Sequence, residues 1–441
     1  MARGFQRKPS GRPASRPASR GASPPAELTI REIGARGDGL GEHGGGRVYV
    51  PLTAPGDHVR VALGERRGDG RAATLVDVLE PGPARAAAPC RHFGVCGGCA
   101  LQHLDDAAYG AWKHDQVATA LGRAGLGDVP VRPVVRTPPA SRRRATFAAS
   151  RRGGACVFGF NERQSHRVTP VPGCLVVAPA ILALLGPLET LMKAILPDGA
   201  EIDVGVAVLE GGVDLLLTGG AEPGLDARER LADFAEAQDI GRVSWRRSPA
   251  FAAEPVAARR PLVARFGGVA VPVRPGAFLQ ASAEGEEALV GLVKAGVGPA
   301  KRIADLFAGV GTFTFPLAAG ASVHAVEGDS DAHADLKAAA RTLSNVAAER
   351  RDLFTDPLTE GELGRFDAVV FDPPRAGARA QAARLAVSRV PTVVGVSCDP
   401  ATFARDARAL VDGGYRLEGV TPVDQFLWSP HIEVVGVFRR H

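Results

Sequence analysis

Hydrophobic and polar residues follow different patterns in successive parts of the chain, and each pattern predicts a different kind of domain. Residues 27 to 85 hold short runs of alternating apolar and polar residues, such as RVYVPL and HVRVALG, separated by glycine-rich turns. Strand signals at this spacing predict a small β-barrel. Residues 86 to 275 mix strand-like runs with the helical pattern of DDAAYGAWKHDQVATALGRAGL, which indicates an α+β domain.

The last part of the chain, residues 276 to 441, alternates between apolar strand runs and helical patterns. The strand runs are KRIADLFAG, SVHAVEGD, FDAVVFDPP and PTVVGVSCDP. This alternation predicts an open, mostly parallel α/β sheet with helices on both faces. Ligands of such sheets bind beyond the carboxyl ends of the strands. We therefore expect a functional site where these runs end.

The composition is that of a folded protein that works in water. The chain has 441 residues, of which 45% are hydrophobic and 23% are charged. It holds no run close to the roughly 18 apolar residues that a membrane helix needs, and its start lacks the apolar segment of a secretory signal. The sequence therefore predicts a cytoplasmic protein with no membrane partner, and it indicates no obligatory protein partner.

Residues 1 to 26 form a basic tail that we expect to be disordered. The tail has six basic residues before its first acidic one and a repeated RPAS segment without apolar periodicity. Because the whole chain has a net charge of +5, the remainder is close to neutral. Overall charge therefore does not by itself indicate a nucleic-acid partner, and the tail is either an RNA-binding arm or a solubilising leader.

The ends of three predicted strands carry residues suited to a nucleoside ligand. After the first strand, Gly309 and Gly311 let the backbone approach a ligand closely, although the third glycine of a dinucleotide fingerprint is missing. Glu327, after the second strand, can accept hydrogen bonds from ribose hydroxyls. Asp372 begins a DPPR motif after a later strand. Together these motifs resemble the S-adenosylmethionine site of class I methyltransferases, which have a Rossmann-like fold.

A cysteine and a glutamate near the C-terminus have the pattern expected for covalent catalysis on a pyrimidine ring. Cys398 lies in an SCDP turn between a strand and a helix, and we expect the helix N-terminus to lower the pKa of its thiol. Glu433 precedes the apolar run VVGVF, where partial burial would raise the pKa of its carboxyl group. His431 either orients Glu433 or is a surface residue.

The motifs SCDPATFARD with HIE, DPPRAGA and DLFAGVGTFTFPLA are similar to those of the RNA 5-methyluridine methyltransferase family, which includes enzymes that act on tRNA and on 23S ribosomal RNA. The resemblance implies methyl transfer from S-adenosylmethionine to C5 of a uridine, with Cys398 as nucleophile and Glu433 as general base. The N-terminal barrel resembles a TRAM domain, an oligonucleotide-binding type of barrel, which implies RNA binding. Six further residues are implied to line the cofactor or target-base site: Gln280, Phe307, Thr312, Glu327, Asp352 and Asp372.

Four of the six cysteines, Cys90, Cys96, Cys99 and Cys174, are candidate metal ligands. The CGGC turn brings two thiols together, and thiolate ligands favour an iron–sulfur cluster or zinc. Their spacing resembles the 4Fe-4S site of the ribosomal branch of the family, so the resemblance implies an iron–sulfur cluster, with zinc as the alternative. Methyl transfer has no electron-transfer step, so a cluster far from the strand ends would have no obvious part in it. We therefore expect a structural or RNA-contacting role for the cluster.

Several functions remain open on the sequence alone. RNA is the expected partner; 23S ribosomal RNA is the favoured substrate and tRNA is the first alternative. A cytosine-C5 RNA methyltransferase shares the covalent chemistry, but such enzymes commonly carry a cysteine beside the proline motif, and DPPR has none. A noncatalytic RNA-binding iron–sulfur protein is the remaining alternative, and the presence of both Cys398 and Glu433 argues against it.

Two further features keep two interpretations each. The run Arg142, Arg143 and Arg144 is expected to be a solvated face, with an RNA-facing patch as the alternative. Trp428 either stacks on RNA or packs in the core. Cys156, in the strand-like run ACVFGF, is expected to be a core residue.

Overall fold

The structure is a computed structural model, and it describes residues 25–440. Residues 1–24, which hold most of the predicted basic tail, lie outside the described part. Contacts between residues divide the chain into two units, one with residues up to 34 and 38–83, the other with residues 35–37 and the chain from residue 84 onward. The predicted boundary near residue 275 inside the second unit stays a prediction.

Strands and helices are numbered here in chain order. The strands are β1 (Ala26–Thr29), β2 (Glu32–Ile33), β3 (Gly39–His43), β4 (Gly46–Val50), β5 (His58–Arg67), β6 (Gly70–Glu80), β7 (Val135–Arg136), β8 (Arg144–Arg152), β9 (Ala155–Asn161), β10 (Val168–Thr169), β11 (Glu201–Leu209), β12 (Gly212–Thr218), β13 (Ile240–Arg246), β14 (Glu254–Ala258), β15 (Val263–Phe266), β16 (Val269–Pro272), β17 (Arg302–Leu306), β18 (Ser322–Glu327), β19 (Val346–Arg350), β20 (Ala368–Phe371), β21 (Thr392–Ser397), β22 (Arg416–Asp424) and β23 (Glu433–Arg439).

The helices are α1 (Asp106–Arg123), α2 (Pro179–Ile195), α3 (Leu225–Ala237), α4 (Ala283–Val297), α5 (Thr314–Ala318), α6 (Ser330–Ala340), α7 (Glu360–Leu363), α8 (Arg379–Val387) and α9 (Pro400–Asp412). Within residues 25–440, no helix is both long enough and apolar enough to cross a bilayer.

The first unit is a single sheet of six strands in the order β1-β5-β6-β4-β3-β2. Alternating residues of these strands, such as Val48, Val50, Val59 and Val61, are buried in one apolar core. The alternation seen in the sequence therefore produces the strand-rich unit that was predicted. The closure of this six-stranded sheet into a barrel stays a prediction.

The middle of the second unit is a seven-stranded mixed sheet in the order β10-β9-β8-β11-β12-β13-β14. Most of its neighbouring strands are antiparallel, whereas β12 and β13 are parallel and are joined by α3. Apolar residues of α2 and α3 share a core with residues of β8, β11, β12 and β13. This arrangement of strands and helices is the predicted α+β pattern.

The C-terminal sheet has eight strands in the order β19-β18-β17-β20-β21-β23-β22-β7. The first five strands in that order are parallel, and β23 runs antiparallel to both β21 and β22. Successive valines point to opposite faces: Val369 packs in a core with residues of α8 and α9, whereas Val370 packs in a core with residues of α4. The predicted mostly parallel sheet with helices on both faces is confirmed.

One helix far from this sheet in the sequence packs against it. Helix α1 contacts α9 and β22, and its Val117 and Leu121 share the core of residues from β20 to β23. Shortly after α1, β7 pairs in parallel with the end of β22, so that Val135 lies opposite Val423. The segment from α1 to β7 therefore belongs to the C-terminal sheet and lies beside the strand that precedes Glu433.

Candidate active site

The sheet order brings Cys398 and Glu433 to the same place. Cys398 follows β21, and Glu433 is the first residue of β23, the antiparallel neighbour of β21. Because Ser397 pairs with Val434, the residues just beyond that pair, Cys398 and Glu433, are next to each other at the edge of the sheet. Asp372 follows β20, on the other side of β21, at the same edge. The thiol and the two carboxyl groups therefore form one site.

Cys398 is partly buried beside the N-terminus of α9. The helix is capped by Asp399, whose Oδ1 accepts hydrogen bonds from the backbone N–H groups of Ala401 and Thr402 at 2.9 and 3.0 Å. Burial raises the pKa of the Cys398 thiol to about 11, with further rises from the charges of Glu433 and Asp372. The expectation that the helix N-terminus lowers this pKa is wrong, because burial and two carboxylates outweigh the helix.

Glu433 is buried, with 4% of its surface exposed. Gln425 Nε2 donates a hydrogen bond to its Oε1 at 3.1 Å. Burial raises the pKa of Glu433 to about 7, against the lowering effect of that hydrogen bond and of Arg144 and Arg375. The predicted rise is confirmed, and it gives the carboxyl group a pKa suited to accepting a proton near neutral pH.

Arg375, the last residue of DPPR, is a cation that acts on the thiol. It hydrogen-bonds Cys398, and its charge favours the thiolate form. Its Nη2 lies 3.3 Å from both ring nitrogens of His431. Burial and the charge of Arg375 lower the pKa of His431, which favours the neutral imidazole. Orientation of Glu433, which we considered for His431, comes instead from the amide of Gln425.

The predicted nucleoside pocket lies at the ends of β17 and β18. Asp305 of β17 has no exposed surface; its Oδ2 accepts a hydrogen bond from the Thr314 hydroxyl at 2.6 Å, and its Oδ1 has no partner. Burial raises the pKa of Asp305 to about 7. Beyond the strand, Gly309 has φ +56° and Gly311 has φ +100°, where a Cβ on Gly311 would meet the Phe315 ring at 2.3 Å. The unpaired buried oxygen of Asp305 and the open space at Gly309, where an added Cβ would meet no atom within 4 Å, fit a cationic ligand with donors, such as S-adenosylmethionine.

The remaining predicted cofactor residues lie at several positions around that edge. Glu327, at the end of β18, accepts hydrogen bonds from the backbone N–H groups of Gly309 and Asp329, both at 2.7 Å. Phe307 has φ +61°, and its ring centroid is 5.5 Å from that of Phe354. Asp352 is exposed and accepts hydrogen bonds from its own turn, from Phe354 N and the Thr355 hydroxyl, each at 3.0 Å.

Gln280 and Thr312 complete the predicted set. Gln280 is buried near Glu433, and its Oε1 accepts a hydrogen bond from Gln425 Nε2 at 2.6 Å. Gln425 Nε2 thus bonds both Gln280 and Glu433, which brings Gln280 to the target-base side of the site. Thr312 is half-buried in the turn before α5.

Cys90, Cys96, Cys99 and Cys174 line one cavity. Burial raises the pKa of Cys96, and it raises that of Cys99 to about 12. In the part of the chain that the structure describes, no three or more His, Cys, Asp or Glu side chains form a group able to hold a metal ion. Leu427 and Ser429, which precede Glu433 in the chain, also line the cavity. The loop before β23 therefore forms part of the cavity wall, and the structural or RNA-contacting role of a cluster stays a prediction.

The arginine run is not a solvated face. Arg142 reaches the cysteine cavity, and its Nε is buried without a partner. Arg143 Nε donates to the carbonyl oxygen of Gln280 at 3.1 Å, and its guanidinium pairs with Glu286. Arg144 lies 4.6 Å from the ring centroid of Phe278 and acts electrostatically on Glu433. The expectation of solvation is wrong, because the run crosses between the central sheet and the site.

Similarity to known proteins agrees with this site. Residues 275–441 match the family described as tRNA (Uracil-5-)-methyltransferase. An uncharacterised RNA methyltransferase of Brucella suis is 45% identical over 95% of this chain and 99% of its own length. RlmD of Halomonas elongata, a 23S rRNA (uracil(1939)-C(5))-methyltransferase, is 33% identical over 92% of this chain and 88% of its own length. The chain belongs to the uracil-C5 RNA methyltransferase family.

This S-adenosylmethionine-dependent RNA methyltransferase shares its fold with a solved relative. The structure of Pyrococcus abyssi tRNA (uracil-54, C5)-methyltransferase in complex with S-adenosyl-L-homocysteine matches it with a TM-score of 0.73. The match covers 94% of this chain and all of that one, at 22% identity. The C-terminal sheet therefore has the predicted class I methyltransferase fold.

Sequence reasoning about the methyltransferase left out three residues that contact its two candidate catalytic groups or act on them electrostatically. Arg375 was read only as part of a motif, although an arginine just after a strand end is a detectable signal. Gln425 lies in a stretch, PVDQFLW, that has no recognisable pattern. Arg144 was grouped with its neighbours as a charge run, and only the fold shows that it acts on Glu433.

Proposed function

We propose that the enzyme methylates C5 of one uridine in 23S ribosomal RNA through a covalent adduct between Cys398 and C6 of the base. The observation that carries this proposal is the juxtaposition of Cys398 and Glu433 at the paired ends of β21 and β23. The choice of ribosomal RNA is supported by the 33% identity to RlmD, which extends over most of both chains. The likeness to the tRNA enzyme is one of fold.

The nucleophile acts first. The Cys398 sulfur adds to C6, a new S–C6 bond forms, and the C5–C6 π electrons move onto C5 and the adjacent carbonyl oxygen. Arg375 supports this step, because its guanidinium contacts the sulfur and favours the thiolate. Since burial raises the pKa of the thiol, the positive charge of Arg375 offsets a cost that the buried site imposes.

The base acts last. S-adenosylmethionine, when bound, supplies the methyl group that C5 takes up. Glu433 then accepts the C5 proton; the electrons of the C5–H bond restore the C5–C6 double bond, and the sulfur leaves C6 as a thiolate. The Gln425 amide holds the Glu433 carboxylate through Oε1.

Six residues are proposed to hold the cofactor or the target base. Asp305, which sequence reasoning left out of this set, supports the cofactor part through its unpaired Oδ1. Glu327 retains acceptor capacity for ribose hydroxyls, because each of its oxygens accepts one backbone N–H. Gln280 is proposed to face the base, since it shares the Gln425 amide with Glu433. The proposed set is Gln280, Phe307, Thr312, Glu327, Asp352 and Asp372.

A substrate assay tests the function. We expect the purified enzyme to transfer label from S-adenosylmethionine to a 23S ribosomal RNA transcript, with 5-methyluridine at one position when the product is mapped. A tRNA transcript is the comparison, and cytosine-containing sites are scored in the same digest. Labelled tRNA with unlabelled 23S RNA would overturn the ribosomal assignment, 5-methylcytidine would overturn the base assignment, and RNA binding without label would favour a noncatalytic protein.

We further propose that the four cavity cysteines bind a 4Fe-4S cluster. The support is that four thiols line one cavity, where they interact electrostatically with one another. A cluster is larger than one ion, so its ligand thiols need not converge on one point. The strand-rich unit is proposed to be a TRAM domain of residues 27 to 85 that binds RNA, in a cytoplasmic enzyme.

Metal analysis tests the cluster. We expect the anaerobically purified enzyme to contain iron and acid-labile sulfide, and Cys99→Ser to lose most of both, because each cluster iron needs its thiolate ligand. Cys156→Ser is the matched control, since Cys156 lies in β9 outside the set of cavity cysteines, and it should keep both. Zinc without sulfide, or iron that Cys99→Ser leaves unchanged, would contradict the assignment.

A further inference from the structure

The eight residues between β22 and β23, residues 425–432, are called here the base loop, because they connect Asp424 to Glu433. The two strands pair up to Val423 opposite Glu433, so the loop begins and ends beside the candidate base. Gln425 at the start of the loop hydrogen-bonds Glu433 directly. The position of Glu433 therefore depends on the conformation of the base loop.

The base loop has an unusual backbone. Trp428 has φ +58°, a left-handed conformation that bulky residues rarely adopt. Its carbonyl oxygen accepts hydrogen bonds from the N–H groups of Ala100 and Leu101, at 2.8 and 3.1 Å. A strained residue persists when the surrounding structure fixes it, so the contacts that hold this loop are informative. Its backbone is thus held in place from outside the loop.

Helix α1 supplies further contacts to the base loop and to Asp424 before it. Tyr109 and Lys113 are one helical turn apart and project from the same face. Lys113 Nζ donates to Asp424 Oδ1 at 2.8 Å and to the carbonyl oxygen of His431. Tyr109 OH donates to Asp424 Oδ2 at 2.5 Å and accepts from Trp428 N at 2.8 Å. Two side chains of α1 thereby hold the loop at its start, middle and end.

These contacts are in the protein interior. The side chains of Lys113 and Asp424 have no exposed surface, and Tyr109 has 1%. Transfer of two charges from water into the protein interior costs about as much free energy as the attraction between them provides. Well-packed apolar residues would therefore stabilise the fold equally well. A buried pair of this kind does define one geometry, because its hydrogen-bond directions are fixed. Fixed geometry is what a loop that carries a catalytic base requires.

We propose that Tyr109, Lys113 and Asp424 are positioning residues for the methylation reaction: they hold the base loop, and through it Glu433, at the target base. This inference rests on the proposed function, in which Glu433 removes the C5 proton. Cys398 lies outside the loop, directly after strand β21. Loss of the positioning contacts is therefore expected to impair proton removal and to leave nucleophilic addition intact.

Two variants test this role: Tyr109→Phe, and a double variant that combines Lys113→Met and Asp424→Asn. The double variant removes both charges together, so that neither charge is left buried alone. In full-length enzyme, we expect kcat to fall between about ten- and a hundredfold. Denaturing gels should show accumulated covalent RNA–protein adduct, and the KM for RNA and the dissociation constant for S-adenosylhomocysteine should stay within about twofold of wild type.

Tyr415→Phe is the matched control. Tyr415 is also buried in the second unit, and its hydroxyl donates to the carbonyl oxygen of Val390 at 2.8 Å, away from the base loop. It should lose a similar buried hydrogen bond and keep wild-type kcat. Normal kcat in Tyr109→Phe would overturn the positioning role. So would a lower kcat accompanied by a proportional decrease in the amount of covalent adduct. A Glu433→Gln enzyme that forms no adduct would instead overturn the proposed function.

Discussion

Cys398→Ala is expected to abolish methyl transfer to RNA and to leave binding of S-adenosylhomocysteine unchanged. The sulfur is the group proposed to form the bond to C6, so the variant lacks the nucleophile. Removal of a covalent nucleophile typically costs more than about 10⁴-fold in turnover. The proposed cofactor pocket lies at the ends of β17 and β18, so its affinity for S-adenosylhomocysteine should not depend on this thiol.

Two measurements make this result specific. Single-turnover transfer from labelled S-adenosylmethionine gives the chemical rate, and calorimetric titration with S-adenosylhomocysteine gives the affinity. Cys156→Ala is the matched control, because Cys156 is a partly buried cysteine in the central sheet and should keep wild-type transfer. Methylation by Cys398→Ala above about a hundredth of the wild-type rate would remove Cys398 as the nucleophile.

Site residues that follow a strand could be located from the sequence. Strand periodicity shows where each strand ends, and in a parallel sheet the carboxyl ends of the strands lie at the same edge. Glu327 and Asp372 lie where β18 and β20 end, as the alternating pattern predicted. The pairing of β23 with β21 was less visible, since antiparallel insertion of the last strand leaves no periodic signal. The meeting of Cys398 and Glu433 could therefore be expected only from the resemblance to a family.

Burial of charged side chains could not be predicted. Lys113 lies in a helical pattern where a lysine usually faces water, yet it is fully buried because Asp424, from the other end of the chain, accepts its hydrogen bond. The sign of the pKa shift at Cys398 was missed for a related reason. A helix N-terminus is a local feature that the sequence shows, whereas Glu433 and Asp372 approach the thiol from two other strands.

Glu433→Gln is expected to trap the enzyme on its RNA. Glutamine keeps the shape of the side chain and can still pair with Gln425, but it cannot accept the C5 proton. Addition of Cys398 and uptake of the methyl group precede that step, so the S–C6 bond should form and fail to break. Loss of a general base lowers turnover by about 10² to 10⁴-fold, and we expect the RNA–protein adduct to accumulate on denaturing gels.

The pH dependence provides a second signature of the same residue. With a pKa of about 7, Glu433 is a carboxylate above that pH and a carboxylic acid below it, so wild-type release of product should rise as pH increases through about 7. The residual rate of Glu433→Gln should lack this rise. Glu418→Gln is the matched control, because Glu418 is near the opposite end of β22 and pairs with Arg416 and Arg439. Normal product release by Glu433→Gln, with no adduct and an unaltered pH profile, would assign the base to another group, and Asp372, which interacts electrostatically with Glu433, would be the next candidate.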